Sequence, residues 1–266
     1  MKAGANTGAE VQVHPQAIVD PGAELGDGVS IGPWTMIGPA VKIGRRTVVG
    51  PSVLIERNTT IGVDCEIHKG AVLGTPPQDL KFRGEDTRLV VGDRTVIREY
   101  ATLNRGTSAS GLTSVGDDCL LMAYTHVAHD CHLGSHVILS NAVNMAGHVE
   151  IQDWVIVGGL TPIHQFVRVG MHAFVGGASR ISQDVPPFCR VAGSPAKLYG
   201  LNSVGLERRG FSAETRAALK KAYRVLFQSA LNISQALERA RKEVEPLPEV
   251  TLFLDFIRNS ERGITT

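Results

Sequence analysis

The chain of 266 residues is 43% hydrophobic, enough for one sizeable core and a small second domain. Its 27 basic and 26 acidic residues leave a net charge of +1, so the overall charge gives no reason to expect a nucleic acid or an anionic membrane as a partner. No window approaches the roughly 18 apolar residues of a spanning helix, and the stretch MKAGANTGAEVQVHP has no apolar signal region. We therefore expect a cytoplasmic protein without membrane insertion.

An aliphatic residue recurs at every sixth position over residues 13–73, 91–103 and 115–181. A small residue follows four places later, and glycine often comes directly after the aliphatic, where we expect it to serve a tight bend. Each hexapeptide predicts one short strand and one bend, and three of them close a triangular coil of about 18 residues. The pattern therefore predicts a mainly β chain that forms a parallel β-helix.

The predicted β-helix covers residues 1–188, with inserted loops at about 75–88 and 106–114, where the register breaks. The repeat resembles that of the hexapeptide proteins, whose coil is left-handed, so the resemblance predicts that hand against the usual crossover rule. Cys65, Cys119 and Cys131 fall on the small interior position and are predicted to be buried thiols.

Helical periodicity replaces the six-residue register in the last part of the chain. It predicts a C-terminal α-helical cap over residues 189–266, which would cover the open end of the solenoid. Ser212 can cap a helix that runs to about Ser229, and Ser234 and Pro248 mark two further helix starts.

Four of the nine histidines lie in THVAHDCHLGSHV, residues 125–137. Residues about 18 apart occupy the same corner of successive coils, which are about 4.7–4.9 Å apart along the axis. This spacing puts His129, Gly147 and Gln165 in one ladder, and His148 and His164 in the two ladders beside it. We expect these residues to form one polar patch on the outside of the coil.

The predicted patch has the groups that acyl transfer to a hydroxyl requires. His129 as a neutral imidazole can accept the proton of the attacking alcohol, and Asp130 can hold its tautomer. The bare amide of Gly147 can approach a developing oxyanion. Because adjacent strand residues face opposite ways, Asp130 can reach His129 only if the backbone bends between them. His132 and His136 fall outside this set and are interpreted as ordinary exposed histidines.

Several motifs resemble those of the UDP-N-acetylglucosamine acyltransferase family, which opens lipid A biosynthesis in Gram-negative bacteria. They are HVAHDCHLGSHV, AGHVEI, GGLTPIHQFVRVG, QDVPPF, GLERRGFS, PPQDLKFRGEDTR and IREYATLNRGT, and the similarity runs from about Val11 to the C-terminus. The resemblance implies a cytoplasmic homotrimer that moves an (R)-3-hydroxyacyl chain from acyl carrier protein to the sugar 3-hydroxyl of UDP-N-acetylglucosamine. It implies no bound metal or other cofactor, because the 4'-phosphopantetheine arrives on the carrier protein.

The resemblance also implies His129 as the general base, Asp130 as its orienting partner and the Gly147 amide as the oxyanion donor. The residues that it assigns to substrate binding are Gln78, Asp79, Lys81, His126, His148, His164, Gln165, Gly177, Asn202, Arg208 and Arg209. Of these, the loop residues 78, 79 and 81 would reach the site of a neighbouring subunit, so that active sites lie between subunits. The residues at 202, 208 and 209 would meet the uridine diphosphate, where guanidinium groups suit phosphate. The glycine at 177 would leave room for a long acyl chain.

Three positions depart from the family pattern, namely Asn104, Pro195 and Val204. They leave open the acyl-chain length and an acceptor with a 3-amino group in place of the hydroxyl.

The acidic carrier protein also needs a basic surface. On helical spacing, Arg216, Lys220 and Arg224 share one face of the predicted cap helix, and Lys221 lies next to them. We predict that the carrier protein docks there.

Three alternatives remain open on the sequence. A trimeric zinc lyase of the carbonic anhydrase type could use His126, His129 and His148 as ligands. The related N-acyltransferase of the same pathway would carry a uridine-binding domain before the first coil. A structural repeat protein without activity would not need a polar patch confined to one set of ladders.

Overall fold

A computed structural model describes residues 10–266. Three faces of short parallel strands form a triangular prism, and each strand pairs with its neighbours one coil earlier and one coil later. Where no loop intervenes, paired residues are 18 positions apart, as Ile138 is from Ile156. The predicted parallel β-helix is therefore confirmed, because six residues per face and three faces per coil produce this register.

The first face contains Gln12–Val13, Ser30–Ile31, Val48–Val49, Glu66–Ile67, Val96–Ile97, Leu120–Leu121, Ile138–Leu139, Ile156–Val157, Phe174–Val175, Cys189–Ala192 and Lys197–Leu201. The second face contains Ile18–Val19, Met36–Ile37, Leu54–Ile55, Val72–Thr75, Thr102–Asn104, His126–Val127, Asn144–Met145 and Pro162–Ile163. The third face contains Glu24–Leu25, Lys42–Ile43, Thr59–Ile61, Arg88–Val91, Leu112–Val115, His132–Leu133, Glu150–Ile151 and Arg168–Val169. Two connections lengthen the coils, at residues 76–87 and 105–111.

The aliphatic residues of the register are buried from Ile31 to Ile181 and form one continuous core along the prism. The small positions between them are buried as well, and they include Cys65, Cys119 and Cys131 as predicted. Burial raises the pKa of the Cys131 thiol to about 12, so this cysteine stays protonated.

Most glycines that follow the aliphatic positions serve a different purpose from the predicted bend. The bend falls two residues later, on non-glycine residues such as Trp34 and Arg46, which have φ of 57° and 59°. Gly44 has no positive φ, but a Cβ placed on it would lie 2.5 Å from the carbonyl carbon of Gly62 in the next coil. The expectation of a bend was therefore wrong at Gly44, where the close approach of stacked backbones excludes a side chain, whereas Gly74 does take a positive φ of 75°.

The first face continues past the predicted boundary at residue 188, because its last two strands lie at residues 189–201 and end in an antiparallel pair. Four helices follow, α1 (Ser203–Arg208), α2 (Ala213–Phe227), α3 (Ile233–Glu243) and α4 (Pro248–Arg258). They pack on the end of the prism around a second core that contains Phe188, Leu219 and Phe253. Among the described residues, no helix combines the length and the apolar character that crossing a bilayer requires.

Two of the predicted helix starts are confirmed, since Ser212 caps α2 and Pro248 begins α4. The start predicted at Ser234 was wrong. The Asn232 side chain accepts a hydrogen bond from the Gln235 amide, and the Gln235 side chain accepts one from the Asn232 amide, so this capping box begins α3 two residues earlier.

The stacking explanation for the glycines can be tested with two alanine substitutions at the same register position. Gly44→Ala should destabilise the fold by about 1–3 kcal/mol, because the new methyl group meets backbone that cannot move aside. Gly38→Ala is the control, since its Cβ would lie 3.3 Å from the nearest atom. Thermal unfolding followed by circular dichroism measures both, and equal losses would contradict the explanation.

Candidate active site

His129 and Asp130 lie on the edge between the second and third faces, after His126–Val127 and before His132–Leu133. Asp130 has a φ of 57°, the left-handed conformation that recurs at these bends. The turn brings the two side chains to the same side, and His129 Nδ1 lies 2.8 Å from Asp130 Oδ2. The bend on which the predicted pairing depended is therefore present.

The Asp130 carboxylate is fully buried and well supplied with hydrogen-bond donors. The Thr107 amide and hydroxyl donate to it at 3.0 and 2.7 Å, and the Ser110 hydroxyl donates to it as well. Burial by itself would raise the pKa of Asp130, but the bonds from Ser110, Thr107 and His129 outweigh it and hold the pKa well below its usual range. Asp130 is therefore an anion, and as an acceptor it requires the proton of His129 on Nδ1.

Sequence analysis did not identify Thr107 and Ser110 as site residues. They belong to the connection at 105–111, which sequence patterning showed only as a break in the register. Their contacts with Asp130 span 23 and 20 residues of chain, so no pattern of neighbouring residues in the sequence indicates these contacts.

Gly147 lies one coil beyond His129, as the ladder predicted. A Cβ on Gly147 would come within 2.5 Å of His129 Cε1 and 2.8 Å of Nε2, so only glycine admits the ring. The Gly147 amide donates no hydrogen bond to any described residue, whereas its carbonyl accepts one from the Phe166 amide at 3.3 Å. The residue that packs against the His129 ring thus has a free N–H.

His148 completes the centre of the cluster. Its ring meets that of His129 edge-on at 5.2 Å and stacks on Phe166 at 4.6 Å, and its Nε2 lies 3.7 Å from Asp130 Oδ2. The ligand atoms of His129, Asp130 and His148 lie within 4.8 Å of one another, so geometry alone would allow these three to hold a metal ion. His126, which the zinc alternative needs, does not belong to this group.

The other predicted patch residues surround this centre without bonding to it. The Nδ1 of His126 is 2.7 Å from the Thr102 hydroxyl, and burial together with the nearby His129 lowers the pKa of His126, which keeps it neutral. His164 and Gln165 are exposed on the next coil, and His164 Nδ1 is bonded to Arg262.

The prediction that His132 and His136 are ordinary exposed histidines was wrong. Both are half-buried. His132 Nδ1 is 2.9 Å from the Ser114 hydroxyl, and His136 stacks on Trp154 with ring centroids 3.8 Å apart. Each is held by the residue 18 positions away on an adjacent coil, a neighbour that the six-residue register places beside it.

The predicted loop residues extend from the connection at 76–87. Gln78 and Lys81 are exposed, and Asp79 accepts a hydrogen bond from the Lys81 amide. No hydrogen bond or ion pair joins these three residues to His129 within the described part of the chain. Asn104, one of the departures from the family pattern, holds the start of this loop in place. Its side chain donates hydrogen bonds to the Thr75 hydroxyl and to the Pro76 carbonyl.

The residues predicted to meet uridine diphosphate line one pocket around α1. Arg208 is exposed, whereas Arg209 lies over the Trp154 ring at 5.3 Å and approaches His172 Nδ1 at 3.4 Å. Burial and the nearby Arg209 lower the pKa of His172 to about 4, so it is a neutral acceptor. The Asn202 side chain caps α1 and donates to the His172 carbonyl.

The basic face of α2 is only partly as predicted. Arg216, Lys220 and Arg224 line one cleft beside α1 and the last strand, and Arg216 is paired with Glu207 at 3.2 Å. Lys221 points away from this cleft and donates to the carbonyl of Glu243 at the end of α3. Gly177 lies on a different edge again, between the first and second faces, where a Cβ would be 3.3 Å from the Gly159 carbonyl.

Comparison with known proteins places this geometry in a family. A family model described as Udp N-acetylglucosamine O-acyltransferase, domain 2, matches residues 184–265, and one described as bacterial transferase hexapeptide matches residues 23–57. The chain is 64% identical over 252 residues to the acyl-acyl-carrier-protein UDP-N-acetylglucosamine O-acyltransferase of Chlorobium phaeobacteroides, covering 94% of this chain and 96% of that protein. It is 55% identical over 257 residues to the protein of the same name from Paracidovorax citrulli, covering 95% and 98%.

A solved structure of the protein named LpxA from Acinetobacter baumannii superposes with a TM-score of 0.93 at 43% identity, covering 96% of this chain and 99% of that one. The fold is thereby identified as a left-handed parallel β-helix with a C-terminal helical domain. The chain belongs to the UDP-N-acetylglucosamine O-acyltransferase family.

Proposed function

We propose that this protein transfers an (R)-3-hydroxyacyl chain from acyl carrier protein to the 3-hydroxyl of UDP-N-acetylglucosamine, the first step of lipid A biosynthesis. The observation that carries the proposal is the hydrogen-bonded pair of His129 and Asp130 beside the free amide of Gly147. The named relatives support the two substrates, since their common name states the acyl donor and the acceptor. A cytoplasmic location stays a prediction from the sequence.

The reaction needs one base and one oxyanion donor. Asp130 holds the Nδ1–H of His129, so Nε2 accepts the proton of the sugar 3-hydroxyl while that oxygen attacks the thioester carbon. The carbonyl oxygen gains the negative charge, and the Gly147 amide donates a hydrogen bond to it. When the intermediate collapses, the C–S bond breaks and the thiolate of the carrier takes the proton from the imidazolium.

This route has no covalent acyl-enzyme, and the chain's own residues support that feature. Cys131, the nearest thiol in sequence to His129, is buried in the core with a raised pKa, so it cannot serve as a nucleophile. We assign no resident metal or other cofactor to the site, because Nδ1 of His129 is committed to Asp130 and both oxygens of Asp130 already accept hydrogen bonds.

We further propose that the active unit is a homotrimer with its sites between subunits. In one chain, His129 lies on the edge between the second and third faces, whereas Arg209 packs on Trp154 and His172, on the edge between the third and first faces. Gly177 lies on the remaining edge. Groups on three different edges can meet one substrate only if neighbouring copies supply some of them.

Acyl carrier protein is proposed to dock on the cleft lined by Arg216, Lys220 and Arg224. Two of these cations, Lys220 and Arg224, are exposed, and complementary charge would steer an acidic partner to them.

The catalytic assignment predicts that His129→Ala lowers kcat/KM by about a thousandfold, because the attacking hydroxyl loses its base. The assay is transfer of radiolabelled 3-hydroxyacyl chains from acyl carrier protein to UDP-N-acetylglucosamine. His14→Ala is the control, since this exposed histidine lies in the first coil, where it accepts a hydrogen bond from the Gln16 amide, and it should stay near the wild-type rate. Substantial activity in His129→Ala would overturn the assignment.

The shared-site proposal predicts complementation between two inactive variants. His129→Ala and Arg208→Ala should each be inactive alone, but a co-expressed mixture should recover about a quarter of the wild-type activity, because some interfaces then combine an intact His129 with an intact Arg208 from the neighbour. If each site lay within one chain, the mixture would stay inactive.

The docking proposal predicts that Lys220→Glu combined with Arg224→Glu raises the KM for acyl carrier protein by about tenfold at low ionic strength, with kcat little changed. The difference should shrink as salt is added. Arg239→Glu on α3, which removes another exposed cation, serves as the control. A KM that does not change in the double variant would rule out this docking surface.

A further inference from the structure

The last residues of the chain form a strap, residues 259–265, that lies along the final coil beside the candidate active site. Its anchor is Asp184, which is 1% exposed. The Ser260 hydroxyl donates to Asp184 Oδ2 at 2.7 Å, the Asp184 amide donates to the Gly263 carbonyl at 2.8 Å, and the Thr265 amide donates to the Asp184 carbonyl at 2.8 Å. Hydrogen bonds on both sides of residue 262 therefore hold the strap in place.

From this strap the side chain of Arg262 reaches His164, a residue 98 positions earlier in the chain. Its Nε donates to the Ser182 carbonyl at 3.0 Å, and its Nη2 lies 2.7 Å from His164 Nδ1. Because the guanidinium is planar, these two contacts fix its orientation.

The contact decides which nitrogen of His164 carries the proton. A guanidinium only donates, so Nδ1 must accept, and the proton of the neutral ring lies on Nε2. The same Nδ1 is also 3.2 Å from the Gln165 carbonyl, an acceptor that would require the proton on Nδ1. The two contacts exclude each other, and the shorter one to a charged donor prevails.

We propose that Arg262 is a positioning residue that holds His164 as the Nε2–H tautomer, so that His164 presents a hydrogen-bond donor to an oxygen of the bound substrate. Without Arg262, the ring takes the Nδ1–H tautomer bonded to the Gln165 carbonyl, and Nε2 turns a lone pair toward that oxygen. The catalytic consequence rests on the proposed function, in which His164 contacts substrate. The tautomer assignment rests only on the contacts of His164 and is independent of the proposed function.

The tautomer can be measured without any assay of activity. Magic-angle-spinning NMR of protein labelled with 15N-histidine distinguishes a protonated from an unprotonated ring nitrogen, and His164→Ala identifies the signals of this residue. At neutral pH, His164 should show a protonated Nε2 in the wild type and a protonated Nδ1 in Arg262→Met. Arg258→Met is the matched control, because Arg258 pairs with Asp255 on α4 and should leave the His164 signals unchanged.

Kinetics then connect the tautomer to turnover. Arg262→Met should lower kcat/KM by about tenfold, the effect of one lost hydrogen bond to a substrate oxygen. In a His164→Ala background the same substitution should have no further effect, since its target is gone. Arg262→Lys keeps a donor that can reach Nδ1, so it should keep the wild-type tautomer and recover part of the activity.

Three results would overturn the proposal: a protonated Nδ1 in the wild type, an unchanged tautomer in Arg262→Met, or an equal loss in the His164→Ala background. Protection of the Asp184 and Thr265 amides from hydrogen exchange shows whether the strap stays docked in Arg262→Met. If the strap detaches in Arg262→Met, the comparison is made with Arg262→Lys instead, in which His164 should keep a protonated Nε2. If the wild type transferred no acyl group, the proposed function would be wrong. The NMR spectra would still show which ring nitrogen of His164 carries the proton.

Discussion

Close stacking of parallel coils shapes both the core and the candidate site of this protein. Each coil donates its strand amides to the carbonyls of the next, so the backbones approach until a Cβ on Gly44 would collide with the coil beyond. The inside of the prism is narrow because each face is only six residues long, and aliphatic and small side chains fill it. The same stacking converts a distance of 18 residues in sequence into direct contact, and this is how His129 and Gly147 come together.

The catalytic pair lies at a corner of the coil, and its hydrogen bond depends on the backbone conformation of that corner. On a flat strand His129 and Asp130 would face opposite ways, but the left-handed conformation at Asp130 turns both side chains to one side. The carboxylate is then supported from the connection at 105–111, through Thr107 and Ser110. Asn104, the strand residue just before this connection, also holds the other inserted loop by donating hydrogen bonds to Thr75 and Pro76.

The C-terminal domain contributes to the prism at two edges. At the edge between the third and first faces, Arg209 packs against a stack of aromatic rings that includes Trp154 and His172. At the edge of the catalytic pair, the strap brings Arg262 to His164. The helical segment that the sequence suggested as a cover for the open end of the solenoid therefore also reaches down the sides of the coil and touches the candidate site.

The coil, its buried residues and the ladder that holds His129 and Gly147 could be predicted from the sequence, because a strict six-residue period is a local property that each hexapeptide displays. The sequence also predicted the starts of α2 and α4, where Ser212 and Pro248 act within one turn. It did not reveal α1, the cap at Asn232 or the reason for the glycines after each aliphatic. The bonds of Thr107 and Ser110 to Asp130 and the contact of Arg262 with His164 became visible only in the folded chain, since they involve irregular segments whose path no period describes.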